Sequence, residues 1–213
     1  MAKVWRLLFI LFVLGQGIRG QSTSDVQFWS ELDLSANLAR NWTLLVPMVI
    51  RNSESAANPV LVGFGPIVTF AINQHVSLTG GYLFADLPDI AGGLTVHVPL
   101  AAVTFTQKVG RLEIEDRNRG ERLIGIPHHP FRYRNRLSLQ LPVASGRWRL
   151  FVNDEVFYDF GARGWNQNRL QVGVSRTLSP RFKLDLYYLE RSLHMARPNA
   201  VHVVGTTLGI RVR

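Results

Sequence analysis

Apolar and polar residues alternate with period two along most of the chain beyond residue 25, in segments of about ten residues, the length a tilted strand needs to cross a bilayer. In the first segment Val26, Phe28, Leu32, Leu34 and Ala36 share one face, and Gln27, Glu31, Asp33 and Ser35 share the other. Trp29 is the exception on the polar side. Trp42, Leu44, Val46, Met48 and Ile50 form the apolar face of the next segment. Further strands are predicted over about 59–72, 76–85, 95–107, 111–119, 131–141, 148–159, 166–177, 182–192 and 201–212. The cleanest alternation is in 131–141, where Phe131, Tyr133, Leu137, Leu139 and Leu141 oppose Arg132, Arg134, Arg136, Ser138 and Gln140. In 182–192, Phe182, Leu184, Leu186 and Tyr188 oppose Lys183, Asp185 and Arg191, while Tyr187 and Leu189 fall on the polar face. Pro47 and Pro99 cannot donate to a ladder and are expected at bulges.

Connections between segments alternate in length. Short turns are expected at 36–41, 73–74, 109–110, 144–146 and 179–180, and longer loops at 52–58, 86–93, 120–130, 161–165 and 193–199. Tight turns on one rim and longer loops on the other characterise transmembrane barrels. Trp42 and Trp148 each follow a short turn on an apolar face, where an interfacial aromatic girdle lies. The fold expected is all-β, an antiparallel up-and-down transmembrane barrel of 10–12 strands. The pattern yields about eleven segments, and the even number usual for such barrels favours twelve. A soluble lipocalin-like barrel, with its apolar faces turned inward, carries the same alternation and remains the alternative.

Ahead of the first strand, Lys3 and Arg6 precede an apolar run from Leu7 to Leu14 and then Gly15, Gly17 and Gly20, the order of a secretory signal peptide. The run is too short for a transmembrane helix. The expected division is a signal peptide over 1–20, cleaved after Gly20 or alternatively Gly17, and a single barrel domain over 21–213. The whole chain carries 24 basic and 15 acidic residues; Lys3, Arg6 and Arg19 leave with the leader, so the remainder has a formal charge of 24 − 3 − 15 = +6. The chain has no cysteine, which excludes disulfides, thiolate metal sites, thiol nucleophiles and a lipidated cysteine anchor.

Three elements carry a family resemblance: Arg132-Tyr133-Arg134-Asn135-Arg136-Leu137, then Asn153-Asp154-Glu155-Val156-Phe157-Tyr158-Asp159-Phe160, then Trp165-Asn166-Gln167-Asn168-Arg169. With Trp29-x-Glu31 near the start, they resemble the bacterial domain-of-unknown-function family 2490. The resemblance implies a Gram-negative outer-membrane barrel with a signal peptide and implies no activity. The final residues, Ile210-Arg211-Val212-Arg213, depart from the aromatic terminus by which the barrel-assembly machinery reads many such proteins.

If the apolar faces meet lipid, the polar faces form a lumen charge ladder of Arg111, Glu113, Glu115, Arg117, Arg132, Arg134, Arg136, Arg149, Glu155, Asp159 and Arg169, with Arg119 and Asn153 alongside. Turning those arginines toward the lipid midplane would cost about 2–4 kcal/mol each. The ladder is expected to fill a narrow lumen with cross-strand ion pairs, or to present a basic surface to an anionic solute. Enclosed in this way it is not a nucleic-acid site. Expected partners are outer-membrane lipids, lipopolysaccharide and the assembly machinery; a monomer is the default. Ser192 and His194, with Glu190 or Asp185, are candidates for a lipid-acting catalytic group at the rim. His128 and His129 lack companions at ligand spacing, and His75, His97 and His202 are isolated, so no metal site and no cofactor are expected.

Overall fold

The computed structural model describes residues 24–53, 59–88, 92–126, 131–143, 146–194 and 199–212. The leader and the His128-His129 pair lie outside them. The described chain is strand and turn: β1 (Ser24–Ala39), β2 (Trp42–Ser53), β3 (Pro59–Phe64), β4 (Ile67–Ala71), β5 (Val76–Leu87), β6 (Leu94–Val109), β7 (Leu112–Arg122), β8 (Phe131–Val143), β9 (Trp148–Asp159), β10 (Gly164–Thr177), β11 (Phe182–Leu193) and β12 (Ala200–Arg211).

Each strand pairs with its sequence neighbours, and β1 pairs with both β2 and β12, so the sheet closes on itself. β3 and β4 lie end to end between β2 and β5, forming one strand line and leaving eleven around the wall. Eleven falls within the range expected from the sequence, but the preference for an even number does not hold. Up-and-down order with an odd count forces the first and last strands to run the same way. β1 and β12 accordingly form a parallel seam, from Ser24↔Ala200 to Ser35↔Arg211, and every other pairing is antiparallel.

The sequence pattern predicts one unbroken strand over 59–72, whereas the ladder is interrupted at Gly65-Pro66. Gly65 has φ 156°, and a Cβ there would lie 2.1 Å from the Tyr82 carbonyl oxygen. No bulge forms at Pro47 or Pro99, contrary to expectation. Pro47 pairs in register with Asp33 on β1, and on its other side the ladder is already open between Leu45↔Ile67 and Met48↔Phe64. Pro99 pairs in register with Tyr82, and beyond it the β6–β7 ladder is open between Leu100↔Glu121 and the bridge His97↔Ile124. Each imino nitrogen therefore sits beside an interruption in a neighbouring ladder, where a missing donor costs least. Register shifts occur instead at Asn37/Ala39, Arg51/Asn52 and Trp165/Gln167.

Parity fixes the two faces of the wall. Phe28, Met48, Ile50, Phe64, Leu78, Phe105, Leu137, Leu150, Leu170, Val172, Leu186 and Val204 are exposed on the outside. Trp42 and Trp148 lie outward near the short-turn rim; the Trp42 ring is 4.7 Å from that of Phe70, and the Arg176 guanidinium covers Trp148 at 4.8 Å. Toward the long-loop rim, Tyr133, Tyr158, Phe160 and Trp165 form a second aromatic cluster with edge-on contacts. Two apolar clusters fill part of the inside: Trp29, Tyr187, Leu189, Val201 and Val203 by the seam, and Val96, Val98 and Leu123 on β6 and the segment after β7. Trp29, Tyr187 and Leu189, which break the alternation, are therefore inward residues that pack on one another.

Candidate functional site

Inward parity on β7 to β10 brings charged side chains of four adjacent strands onto one wall of the lumen. Glu121 is the first hub. The Arg119 Nη2 lies 2.6 Å from its Oε1, the Arg134 Nη1 lies 2.8 Å from the same oxygen, and the Arg132 Nε donates to Oε2 at 2.7 Å. Glu155 is the second. Arg134 engages it through Nη2 to Oε2 at 2.8 Å and Nε to Oε1 at 3.2 Å, and Arg117 donates to Oε1 at 2.8 Å. Arg134 thus bridges the hubs and grips Glu155 with the planar fork suited to a carboxylate. The Arg169 Nη1 is looser, at 3.8 Å from Glu155. All of this lies over Phe157, 1% exposed, whose ring is 4.6 Å from the guanidinium carbons of both Arg134 and Arg169. The Glu121 side chain is wholly buried.

The ladder residues predicted from sequence divide into groups. Arg117, Arg132, Arg134, Glu155 and Arg169 assemble in this network. Arg136 and Glu115 pair lower in the lumen at 2.9 Å, and Glu113 pairs with Lys108 at 3.4 Å near the short turns. Arg111 is not in the lumen: it occupies the β6–β7 turn and donates to the Pro142 carbonyl at 2.8 Å. Arg149 keeps inward parity but is exposed near the same rim. Asp159 holds the β9–β10 connection, accepting from the backbone N–H groups of Gly161 at 2.8 Å and Ala162 at 3.0 Å and from the Asn166 amide at 3.3 Å. Its carboxylate caps a turn because β9 ends there.

Three inward groups lie outside the predicted ladder. The sequence reading closes a strand at Arg119 because Gly120 suggests a loop, yet β7 runs on to Arg122 and carries Glu121 inward opposite Arg132. Arg51, at the edge of the second predicted segment, turns inward and lies 3.8 Å above the Trp29 ring. Glu31 and Arg51 are close enough to interact electrostatically, as are Glu31 and Arg136. β1 and β2 thus face the β8 wall across the lumen. A second acidic group, Asp33 and Asp185, lies toward the short turns, where Lys183 is 3.0 Å from Asp185.

The Asn166-Gln167-Asn168-Arg169 element splits at a register shift. Gln167 and Arg169 face inward, whereas Asn168 faces out and donates to Asp154 at 2.7 Å. On the same outer face Asn135 and Asn118 donate to Asp116, and the Tyr133 hydroxyl donates to Asn118. These groups satisfy one another, which reduces the cost of polar atoms on an otherwise apolar wall.

Ser192 is exposed on the outer side of β11, opposite Asn168 and Ala200. The His194 backbone N–H donates to the Asn166 carbonyl at 2.8 Å, and the residue borders a shallow depression with Val156, Trp165, Gln167 and Asn168. Among the described residues no hydrogen bond joins Ser192 to His194. His97 and His202 each accept or donate a 2.6 Å hydrogen bond with a tyrosine hydroxyl, Tyr82 and Tyr188 respectively, on the outer face. Among the described residues no three His, Asp or Glu side chains converge as metal ligands.

No curated protein matches the chain. Among solved structures it is similar to one titled "KdgM porin", at 12% identity and a TM-score of 0.49, covering 78% of this chain and 91% of the other. A family model described as "Protein of unknown function (DUF2490)" matches residues 26–202, nearly all of the barrel from β1 into β12. The chain belongs to that family.

Proposed function

We propose that the protein is an outer-membrane barrel that offers anions a narrow, arginine-lined passage. The observation that carries this reading is the local imbalance of charge on β2 and the upper part of β7 to β11. Glu121 and Glu155 are each shared among several arginines, and Arg51 and Arg191 have no carboxylate within ion-pair distance among the described residues. Fixed guanidinium groups in a low-dielectric lumen lower the energy of an anion in transit and raise that of a cation. Support for the membrane comes from the largely apolar outer wall, whose polar groups pair with one another, the aromatic residues near both rims and the closed ladder, which leaves no free strand edge in hydrocarbon. The short turns then face the periplasm, and the leader over 1–20 supplies export.

The test is conductance of the purified protein in planar bilayers under a potassium chloride gradient. The proposal predicts small unitary steps and a reversal potential of anion-selective sign, which moves toward zero in Arg134→Gln and Arg136→Gln. A cation-selective pore refutes it. A properly folded barrel with no conductance refutes it as well, and favours a purely structural role for the Arg–Glu network.

A further inference from the structure

One side of the lumen carries more guanidinium groups than its carboxylates occupy. Arg51 on β2 and Arg169 on β10 lie over Trp29, and Arg191 on β11, toward the long-loop rim, is close enough to Arg51 to interact with it electrostatically. Arg51 lies 3.8 Å and Arg169 5.2 Å from the Trp29 ring centroid; Arg51 interacts electrostatically with Arg191 and Arg134 and, beyond ion-pair distance, with Glu31. Arg191 donates its Nε to the Oε1 of Gln167 at 3.0 Å, so that amide is turned toward the cluster's edge by an arginine that has no acid of its own. The nearest acid to Arg169 is Glu155 at 3.8 Å, and Glu155 is already held more tightly by Arg117 and Arg134.

Three donors in this group are buried and lack a partner among the described residues: Arg51 Nε, Arg169 Nε and Gln167 Nε2. Buried donors are almost always satisfied, and like charges brought together away from water repel. Both costs are removed by one kind of ligand, an oxyanion that accepts from several guanidinium groups at once. The apolar floor of Val201, Val203 and Leu189, with Trp29 packed on it, excludes water from one side of the cluster and strengthens such contacts.

We propose that Arg51, Arg169, Arg191 and Gln167 form a binding subsite for the carboxylate or phosphate group of a small solute, beside Trp29. The proposal deepens the reading of the lumen as an anion passage and rests on it: the subsite is where a solute pauses on its way through. Arg119, Arg132 and Arg134 are excluded from the role because their forks are already committed to Glu121 and Glu155.

The test uses the full folded chain in detergent, titrated with inorganic phosphate and separately with acetate, at ionic strength held constant with potassium chloride. Tryptophan fluorescence is the readout. The expected result is a saturable change that disappears in Trp29→Phe. Its half-saturation concentration rises roughly ten- to a hundredfold in Arg51→Met and Arg169→Met, the loss of a charge-assisted contact. Lys108→Gln, at the short-turn end, leaves it unchanged. Arg191→Gln is the milder variant, and heat-dependent electrophoretic mobility verifies that each barrel is folded. A response to phosphate but not acetate assigns the site to phosphate groups, and the reverse assigns it to carboxylates. A non-saturable response, one that persists in Trp29→Phe, or one equal in all arginine variants overturns the subsite. If anion selectivity in bilayers survives such a result, the subsite alone is wrong; if selectivity is absent too, the passage is wrong with it.

Discussion

Replacing Glu121 by Gln removes one charge while keeping the side chain's size, and the geometry sets what that does. Three arginines contact this carboxylate, and none of the Glu121 side chain is exposed. Arg134 keeps Glu155 as a partner, but Arg119 and Arg132 lose the only carboxylate within ion-pair distance among the described residues. Breaking a buried pair from one side costs about 3–5 kcal/mol, because the remaining charge is left uncompensated. Arg132 is partly exposed and regains some hydration, so the expected loss is near the lower end, about 3 kcal/mol. Glu115→Gln is the internal comparison. Its pair with Arg136 is about one-third exposed on each side, 26% and 31%, and neutralising it should cost about 0.2–1 kcal/mol. The assay is urea unfolding of the barrel in lipid vesicles, followed by the fraction that retains the folded electrophoretic mobility without boiling. Equal effects of the two substitutions, or a smaller effect at Glu121, would refute the assignment of Glu121 as the buried hub.

Gly205 on β12 lies beneath the Tyr187 ring, and a Cβ there would fall 2.1 Å from Tyr187 Cζ. Gly205→Ala is therefore expected to destabilise by about 1–3 kcal/mol in the same assay, and Tyr187→Leu in the same chain should recover most of that loss. Leu186, mid-strand on β11 and 51% exposed, faces the outer wall. Leu186→Arg should cost about 2–4 kcal/mol in a bilayer, whereas Gln171→Arg, on the inward face, should cost much less. Similar losses at the two positions would place the apolar face elsewhere than against lipid.

Period-two alternation made the wall legible because a strand in a barrel has one side to lipid and one to the lumen, with no intermediate. The sequence of 131–141 specifies the faces of β8 without help, and the short-turn and long-loop rims follow from connection lengths. What the pattern concealed depends on contacts between distant strands. Trp29, Tyr187 and Leu189 are apolar residues on the polar side because the lumen beside the seam is packed rather than wet. Pro47 and Pro99 are harmless within strands because the adjoining ladder is open at their level, which no local signal reveals. Glu121 was hidden by the glycine before it; Asp159 was named in the ladder, but not its service to the β9–β10 turn at the end of its strand. The charge ladder was recognisable as a set, but not the division into hubs, rim residues and the more loosely paired Arg51 and Arg169 over Trp29. That division depends on side-chain reach across strands that sequence spacing does not report. The strand count was legible, since the alternation yields eleven segments and eleven are found; the general preference for even numbers obscured it, and with it the parallel seam that an odd count forces.

The most direct test of the account is whether β1 and β12 join as parallel neighbours in the membrane. Leu32 and Leu208 are paired across that seam, and the chain contains no native cysteine, so Leu32→Cys with Leu208→Cys provides a single possible intramolecular disulfide. Mild oxidation of the outer-membrane fraction is predicted to form it in the heat-modifiable barrel, seen as a faster-migrating species after boiling without reductant. Folded protein in that fraction that stays reduced under the same oxidation, or a double variant found only in the soluble fraction, would contradict the closed eleven-strand membrane barrel.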